Sequence, residues 1–474
     1  MEEPSIKKNF AYKSALTIST YLMNFITFPY VSRVLGVDGI GLVSFVDNVV
    51  NYFLLFATMG IGILGTREIA AIKDNTKKCN QTFSNILGLN LLFTVITVVV
   101  YLLCICVIPK FQQYDELFYI GTAKILFTAF VIEWFFTGIE NFRYITLRSL
   151  MIKLLYVISV FVFVTSKEDY KLYFVLTVVT VVINAIINMV YVRKYVRLQT
   201  RDLLNGKYLK QNISLGIYTL MTSMYITFNV MFLGFASNNV EVGYYTTAFK
   251  LYSVILGFFT AFTNVMLPRM SSLLAHGDKE RFQDVISKSF SLMAFFSIPM
   301  ILCSMVLAPQ IIYVLSGNGY EGAILPMRII MPAALFVGIA QVLAVQVITP
   351  MKRDKILLFA SILGATVSLL INIFIVPHLH SIGSAIVLLI AECTVTSTYI
   401  VYVTHGKFVR LQPKVLIESL FCALPSMVIC LLCNLYINNN YLSLLVGISL
   451  AVLSWLIMCR LTKNNVMEII IKRK

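Results

Sequence analysis

Residues 24–71 read NFITFPYVSRVLGVDGIGLVSFVDNVVNYFLLFATMGIGILGTREIAA. Two apolar runs flank a tight, glycine-marked connection, SRVLGVDGIG. The second run ends at Gly60, Gly62 and Gly65, followed at once by Arg67 and Glu68. Residues 238–275, NNVEVGYYTTAFKLYSVILGFFTAFTNVMLPRMSSLLA, follow the same plan: a short polar connection, a glycine, an apolar run, Pro268 as a helix breaker, then Arg269. Gly41 and Gly243 stand 202 residues apart, and so do Arg67 and Arg269. Two landmarks at one offset indicate a duplicated unit. The loops that follow also match in character, TREIAAIKDNTKKCNQTFSNI against PRMSSLLAHGDKERFQDVISK. Thr137 and Thr349, 212 residues apart, close matching fourth spans.

Of the 474 residues, 59% are hydrophobic and 13% charged, with a mean hydropathy of +0.85. A soluble domain is roughly half apolar and a quarter charged, so this composition belongs to a membrane protein. About 20 helical residues cross the hydrocarbon. Fourteen runs qualify, at roughly 12–32, 40–62, 84–108, 117–138, 149–165, 171–192, 214–236, 243–266, 289–308, 328–349, 356–376, 382–403, 414–436 and 441–460. They are too long and too uniformly apolar to be barrel strands, which alternate. The expected fold is an all-α polytopic membrane protein. A six-helix lobe at 1–200 and another at 214–405 are joined by a cytoplasmic linker at 201–213; two more helices and a basic tail fill 406–474. Six spans between matched landmarks preserve topology, so the repeats are parallel. The basic stretch 193–213, RKYVRLQTRDLLNGKYLKQNI, reads either as an interfacial amphipathic helix or as a plain linker.

The net charge of +16 follows from where the cations fall. With the N-terminus inside, 31 of the 38 lysines and arginines lie on inner segments, Arg143, Arg148 and Lys153 among them. That is the asymmetry of cytoplasmic loops; it places both termini in the cytoplasm and calls for no nucleic acid. The first span lacks a cleavage pattern and is expected to be retained as an anchor. No outer connection exceeds about twenty residues, which leaves no room for an extracellular catalytic domain. Cys430-x-x-Cys433 sits in an unbroken apolar run and reads as packing. No histidine has the company of a metal site, and no phosphate-cradling P-loop is present.

Ionisable residues inside spans are costly and by default mark a cavity, a pathway or a partner. They are Asp47, Lys124, Glu133, Lys250 and Glu392, with Arg33 and Arg328 at the outer rim. At the 202 offset Lys250 falls on Asn48, so Asp47 and Lys250 either face each other across a central cleft or snorkel to water at a rim. Lys124 and Glu133, nine residues apart on one helix, would face opposite ways. Lys124 is then the cavity candidate, and Glu133 packs near the inner boundary. Glu392 is either the carrier of a coupling proton, because ionising a carboxylate away from water is costly, or a structural contact. Asn184 and Asn188, one turn apart, and further span amides such as Asn264 suit interhelical hydrogen bonds or sugar hydroxyls. Gly60, Gly62, Gly65 and Pro268 are candidate bending points.

Taken together, NFITFPYVSRVLGVDGIGLVSF, GILGTREIA, VIEWFFTGIENFRYI, EVGYYTTAFKL, LPRMSS and SGNGYEGAILPMRIIMPAALF resemble the bacterial oligosaccharide (O-antigen) flippases. These form the polysaccharide transporter branch of the multidrug/oligosaccharidyl-lipid/polysaccharide exporter superfamily. The resemblance covers nearly the whole chain, and the order and spacing of the stretches are more specific than any one of them. It implies two six-helix lobes in a MATE-like V, working by alternating access in the bacterial inner membrane. It implies a non-enzymatic flippase for short oligosaccharides on undecaprenyl diphosphate. On that reading Arg33, Lys124, Lys250 and Arg328 supply cations for the diphosphate. Asp47, Glu392, Asn184 and Asn188 line the cavity or couple it to H+ or Na+, with no cofactor. The expected partners are the lipid-linked oligosaccharide, membrane lipids, a glycan polymerase and a chain-length regulator. The two extra spans resemble the fourteen-helix peptidoglycan-precursor flippases, although most motifs fit the oligosaccharide branch. Three alternatives stay open, one of them a non-transporting membrane scaffold that binds lipid-linked glycan. A multidrug exporter of the same superfamily would favour acidic cavity residues; a membrane-embedded glycan polymerase would need a long outer loop.

Overall fold

The structure is a computed structural model that describes residues 6–203, 206–406, 408–409 and 413–462. The basic tail at 463–474, Lys407, Arg410 and the side chains of Lys7, Lys8, Lys13 and Asn264 lie outside the described residues. Among the described residues there are helices and no strands. The chain divides into two compact units, residues 1–235 and 236–474. The first holds α1 (Ile6–Thr58), α2 (Ile61–Ile72), α3 (Thr76–Val107), α4 (Pro109–Gln112), α5 (Asp115–Thr128), α6 (Glu133–Gly138), α7 (Phe142–Phe163), α8 (Tyr170–Val192) and, up to its last residue, α9 (Leu209–Ala236). The second holds α10 (Asn239–Ala275), α11 (Lys279–Val306), α12 (Ala308–Ser316), α13 (Ile324–Ile330), α14 (Ala333–Gln341), α15 (Asp354–His405), α16 (Lys414–Tyr436) and α17 (Asn440–Leu461).

Among the described residues, eleven helical stretches are long and apolar enough to cross a membrane. Two of them are pairs of helices joined across a kink, and α9 is a further helix of 28 residues; the fourteen expected runs fall mainly on helix. At about 1.5 Å per residue, the 53 residues of α1 would extend about 80 Å, far beyond the roughly 30 Å of hydrocarbon. The chain turns at Gly36, whose φ of 70° and ψ of 176° are open to glycine and costly for other residues. The 52 residues of α15 turn at His380, with φ 48°, just after Pro377. There the backbones of Val376 and Gly383 come so close that a Cβ on Gly383 would lie 3.0 Å from the Val376 Cα. Glu241 of α10 holds the turn by accepting hydrogen bonds from the Ser381 backbone N–H, at 3.1 Å, and from its hydroxyl.

The duplication persists in local chemistry. Asn75 caps α3 by accepting from the Lys78 N–H at 3.0 Å, and Asp278 caps α11 by accepting from the Arg281 N–H at 3.1 Å. The second spans diverge. In the first unit the helix stops at Met59, in a left-handed conformation with φ 42°, and restarts after Gly60. In the second unit α10 runs unbroken for 37 residues through Pro268, so that proline does not end the helix as its residue type suggests.

Within the first unit α1 packs on α3, α5, α7 and α8, and α2 on α3 and α6. Within the second, α10 packs on α13, α14 and α15, while α16 lies along α11 and α17. The stretch 193–213 forms no amphipathic helix ahead of α9. Among its described residues ahead of α9 it makes a turn at 193–195, runs irregularly over 196–199 and forms short 3-10 turns at 200–202 and 206–208. Side chains of α3 hold it: Asn80 accepts from the Arg197 N–H at 2.9 Å, and Ser84 from the Gln199 N–H at 2.8 Å. Gly88 completes the seam, because a Cβ there would stand 1.7 Å from the Leu203 carbonyl oxygen. Backbone groups that would otherwise need water are thereby satisfied on α3. Gly88→Ala is expected to cost about 1–3 kcal/mol or more through overpacking, read as a lower melting temperature of the purified protein. Gly62→Ala, in open space, should leave the melting temperature within a degree or two. Equal melting temperatures would show that the linker is not seated on α3.

Candidate functional site

The fourth span of the first unit is broken. Helix α5 ends at Thr128, and α6 begins at Glu133 after Ile132, which takes a left-handed φ of 38°. The break interrupts the intrahelical ladder inside hydrocarbon, where no water can replace the lost partners. Two amides from neighbouring helices do so. Asn90 of α3 donates to the Ala129 carbonyl at 3.2 Å, and Asn188 of α8 donates to the Val131 carbonyl. At the 212 offset the fourth span of the second unit is irregular at the corresponding place, a π-helical stretch over 342–348 following α14. Wide turns of that kind recur at functional sites.

The break brings charges together. Arg148 of α7, its side chain 3% exposed, pairs with Glu133. It also donates to the Asn188 amide oxygen and, at 3.0 Å, to the Ser149 hydroxyl. The Tyr144 hydroxyl donates to that same Asn188 oxygen at 2.9 Å. Asn188 therefore satisfies the broken backbone with its NH2 and fixes Arg148 with its carbonyl oxygen. Five residues on, Lys153 donates to the Leu16 carbonyl at 3.3 Å and the Ser19 hydroxyl at 3.0 Å, and to the Thr20 hydroxyl. Among the described residues Lys153 makes no ion pair.

Glu133 and Lys153 face a cavity of about 430 Å³ inside the first unit, between α1, α7 and α8. Asn24, Thr20, Ser149, Tyr156, Thr177, Thr180 and Asn184 supply its remaining polar lining. Glu133 also borders a second cavity of about 450 Å³, beside Gly60, Gly62, Thr66 and Trp134. The broken segment is thus the wall between two spaces.

A second cluster lies on the same fourth span. Lys124 donates to Asp47 at 2.6 Å and to the Asn51 amide oxygen at 2.8 Å, and Asn51 donates back to Asp47 at 3.0 Å. Lys124 is 13% exposed and Asp47 32%. The partner of Asp47 within the first unit is therefore Lys124. Lys250 is half-buried on α10 in the second unit. Lys124 and Glu133 do have separate partners, but the reason is the break between them rather than nine residues of regular helix. Glu133 does not merely pack near a boundary: it faces a cavity.

The other expected residues are dispersed. Arg33 is exposed three residues before the Gly36 turn. Arg328 of α13 donates from Nε to the Met305 carbonyl at 3.0 Å. Glu392 is buried in α15 with no ion pair or hydrogen bond among the described residues. Asn184 donates to the Thr180 carbonyl of its own helix at 2.8 Å and lines the first cavity. Gly60 and Gly65 are contact points: a Cβ would lie 2.4 Å from the Leu215 Cβ and 2.4 Å from the Trp134 ring, respectively. No group of three or more potential metal ligands occurs among the described residues.

A fifth span taken to start at 149 leaves Arg148 outside it and Lys153 at its inner end, and both are then counted with the inner cations. The signal lies in Asn141, which caps the helix by accepting from the Tyr144 N–H at 3.3 Å. A start at Phe142 gives a full 22-residue span and carries both cations inside it. Asn188→Leu would leave the Val131 carbonyl unpaired and Arg148 short of an acceptor, an expected loss of about 1–3 kcal/mol or more. Asn184→Ala removes only a contact within its own helix and should cost under about 1 kcal/mol. Thermal unfolding of the detergent-purified variants tests this, and an equal melting temperature for the two would refute the role given to Asn188.

The family model described as polysaccharide biosynthesis protein matches residues 6–274. A protein of Escherichia coli (strain K12) named "Putative O-antigen transporter" is 25% identical over 406 residues, spanning 85% of this chain and 98% of that protein. A protein of the same name from Shigella dysenteriae is 24% identical over 394 residues, spanning 82% of this chain and 97% of its own length. Among solved structures, the lipid II flippase MurJ in an inward closed conformation superposes with a TM-score of 0.79 at 15% identity, covering 96% of this chain and 99% of that one. An inward-facing MATE family transporter of the MOP superfamily superposes with a TM-score of 0.57 at 15% identity, covering 84% and 97%. At such identities the structural likeness speaks for the fold.

Proposed function

We infer the activity from one premise: this chain belongs to the polysaccharide biosynthesis protein family. It is a multi-pass membrane protein with the fold of the MOP superfamily. Its relatives are named as O-antigen transporters, and we assign it the same class of work, moving a polysaccharide precursor across the membrane. We further propose that the cargo is a short oligosaccharide on undecaprenyl diphosphate. It passes from the cytoplasmic to the outer leaflet of a bacterial inner membrane by alternating access, with both termini in the cytoplasm and no covalent chemistry performed on the glycan.

The observation that carries this reading is the cavity at Lys153. A diphosphate-linked sugar needs a cation in a protected place, and hydroxyl and amide partners for the glycan. Lys124 is neutralised by Asp47 and Arg148 by Glu133. Lys153 makes no ion pair and has only neutral hydrogen-bond partners among the described residues, and it shares its cavity with Asn24, Asn184, Tyr156, three threonines and the Glu133 carboxylate that Arg148 holds. Pairing of Asp47 and Glu133 also speaks against a site for cationic drugs in this unit. Glu392, buried without such a partner, is our choice for the residue that carries a coupling proton.

The test is made in a cell whose surface glycan depends on this chain. Lys153→Ala and Lys124→Ala are each expected to cut surface glycan at least tenfold, a loss of about 1.4 kcal/mol or more in transport. Membrane protein levels should stay unchanged, with lipid-linked units accumulating. Normal export by the Lys153→Ala variant would remove this cavity from the pathway. Loss of export through Lys124→Ala that Asp47→Ala/Lys124→Ala restores would mark Lys124 as a structural ion-pair partner only.

A further inference from the structure

Helices α7 and α8 enclose a groove of about 690 Å³ in the first unit, lined by residues other than those of the cavity at Lys153 except for the shared Ile152. Its walls are two facing stripes at a spacing of four residues. Arg143, Leu147, Met151 and Leu155 come from α7, and Ile183, Ile187 and Tyr191 from α8. Leu147, Met151 and Leu155 are 48%, 67% and 59% exposed, which in a membrane protein is exposure to lipid.

The charge along the groove is one-sided. Arg143, exposed and without an ion pair among the described residues, stands at one end. The Lys194 ammonium lies 5.0 Å over the Tyr191 ring, and that ring stacks on Tyr144 with centroids 3.9 Å apart. Arg148 also borders the groove, but its side chain is 3% exposed and its guanidinium is held by Glu133, Asn188 and Ser149. No carboxylate lines the groove. From Arg143 to Leu155 the helix rises about 18 Å, close to half of the roughly 30 Å hydrocarbon. A cationic end and an apolar trough one leaflet deep match one lipid with an anionic headgroup.

We propose that this groove is a binding site for an anionic glycerophospholipid of the leaflet at the Arg143 end. Its phosphate sits between Arg143 and Lys194, and one acyl chain lies along Leu147, Met151, Leu155 and Ile187. The site stands whether or not the cargo is a lipid-linked glycan.

The full chain is purified in detergent, mixed with equal amounts of dioleoyl phosphatidylglycerol and dioleoyl phosphatidylcholine, and examined by native mass spectrometry. Phosphatidylglycerol should be retained in preference. Each surface cation is worth about fivefold in binding an anionic lipid, so Arg143→Ala should lower its retention about fivefold. Ile187→Trp, which fills the trough, should lower retention of both lipids, whereas Leu445→Trp, on the exposed face of α17, should change neither. Size-exclusion profiles confirm that the variants are folded. Equal retention of the two lipids by the unaltered chain, or no effect of Arg143→Ala and Ile187→Trp, would overturn the proposal. So would displacement of phosphatidylglycerol by an equimolar polyprenyl phosphate, which would make the groove a cargo site.

Discussion

In hydrocarbon a backbone amide has no water to turn to, and much of this structure is arranged around that shortage. At several places where the helical ladder stops, a side chain from another element meets the freed group. Asn90 and Asn188 do so at the break before Ile132, and Glu241 does so at the turn beside His380. The linker after α8 obeys the same rule on α3. Amides inside spans are thus explained first by the backbone they complete, and a role toward a ligand comes through what they hold in place.

The charges follow a similar logic. An ion in a low-dielectric interior needs a partner and further hydrogen bonds to be tolerated. Lys124 with Asp47 and Arg148 with Glu133 meet that condition through Asn51 and Asn188. These pairs are closed arrangements with little charge left over. Lys153, by contrast, rests on carbonyl and hydroxyl oxygens. It faces the same cavity as Glu133, whose carboxylate is held by Arg148, and for that reason the candidate site is centred on it.

Duplication links the two units without making them copies. The N-caps Asn75 and Asp278 and the irregular fourth spans sit at corresponding places. Yet the second span is interrupted at Met59 in one unit and continuous through Pro268 in the other. A proline inside a helix removes one donor and crowds a turn, and neighbouring groups in a membrane can absorb that cost.

By itself the sequence determined the all-helical membrane fold with about fourteen apolar runs, and it carries the landmarks that recur at a fixed offset. These depend on the length of apolar runs and the placement of landmarks, which are one-dimensional quantities. It also identified Asp47, Lys124 and Glu133 as costly residues inside spans. Only the tertiary structure decided what each of them meets. Partners 77 residues apart, as Lys124 and Asp47 are, depend on how each helix is rotated about its axis, and a uniformly apolar run carries little record of that rotation. The same holds for Arg148 and Lys153, which are counted with the inner cations until the helix start at Phe142 is known. The break at Ile132 is equally hidden, since nothing in the residues of FTAFVIEWFF forbids helix. Contacts with α3, α7 and α8 stabilise the broken form, and such contacts exist only after the helices have packed.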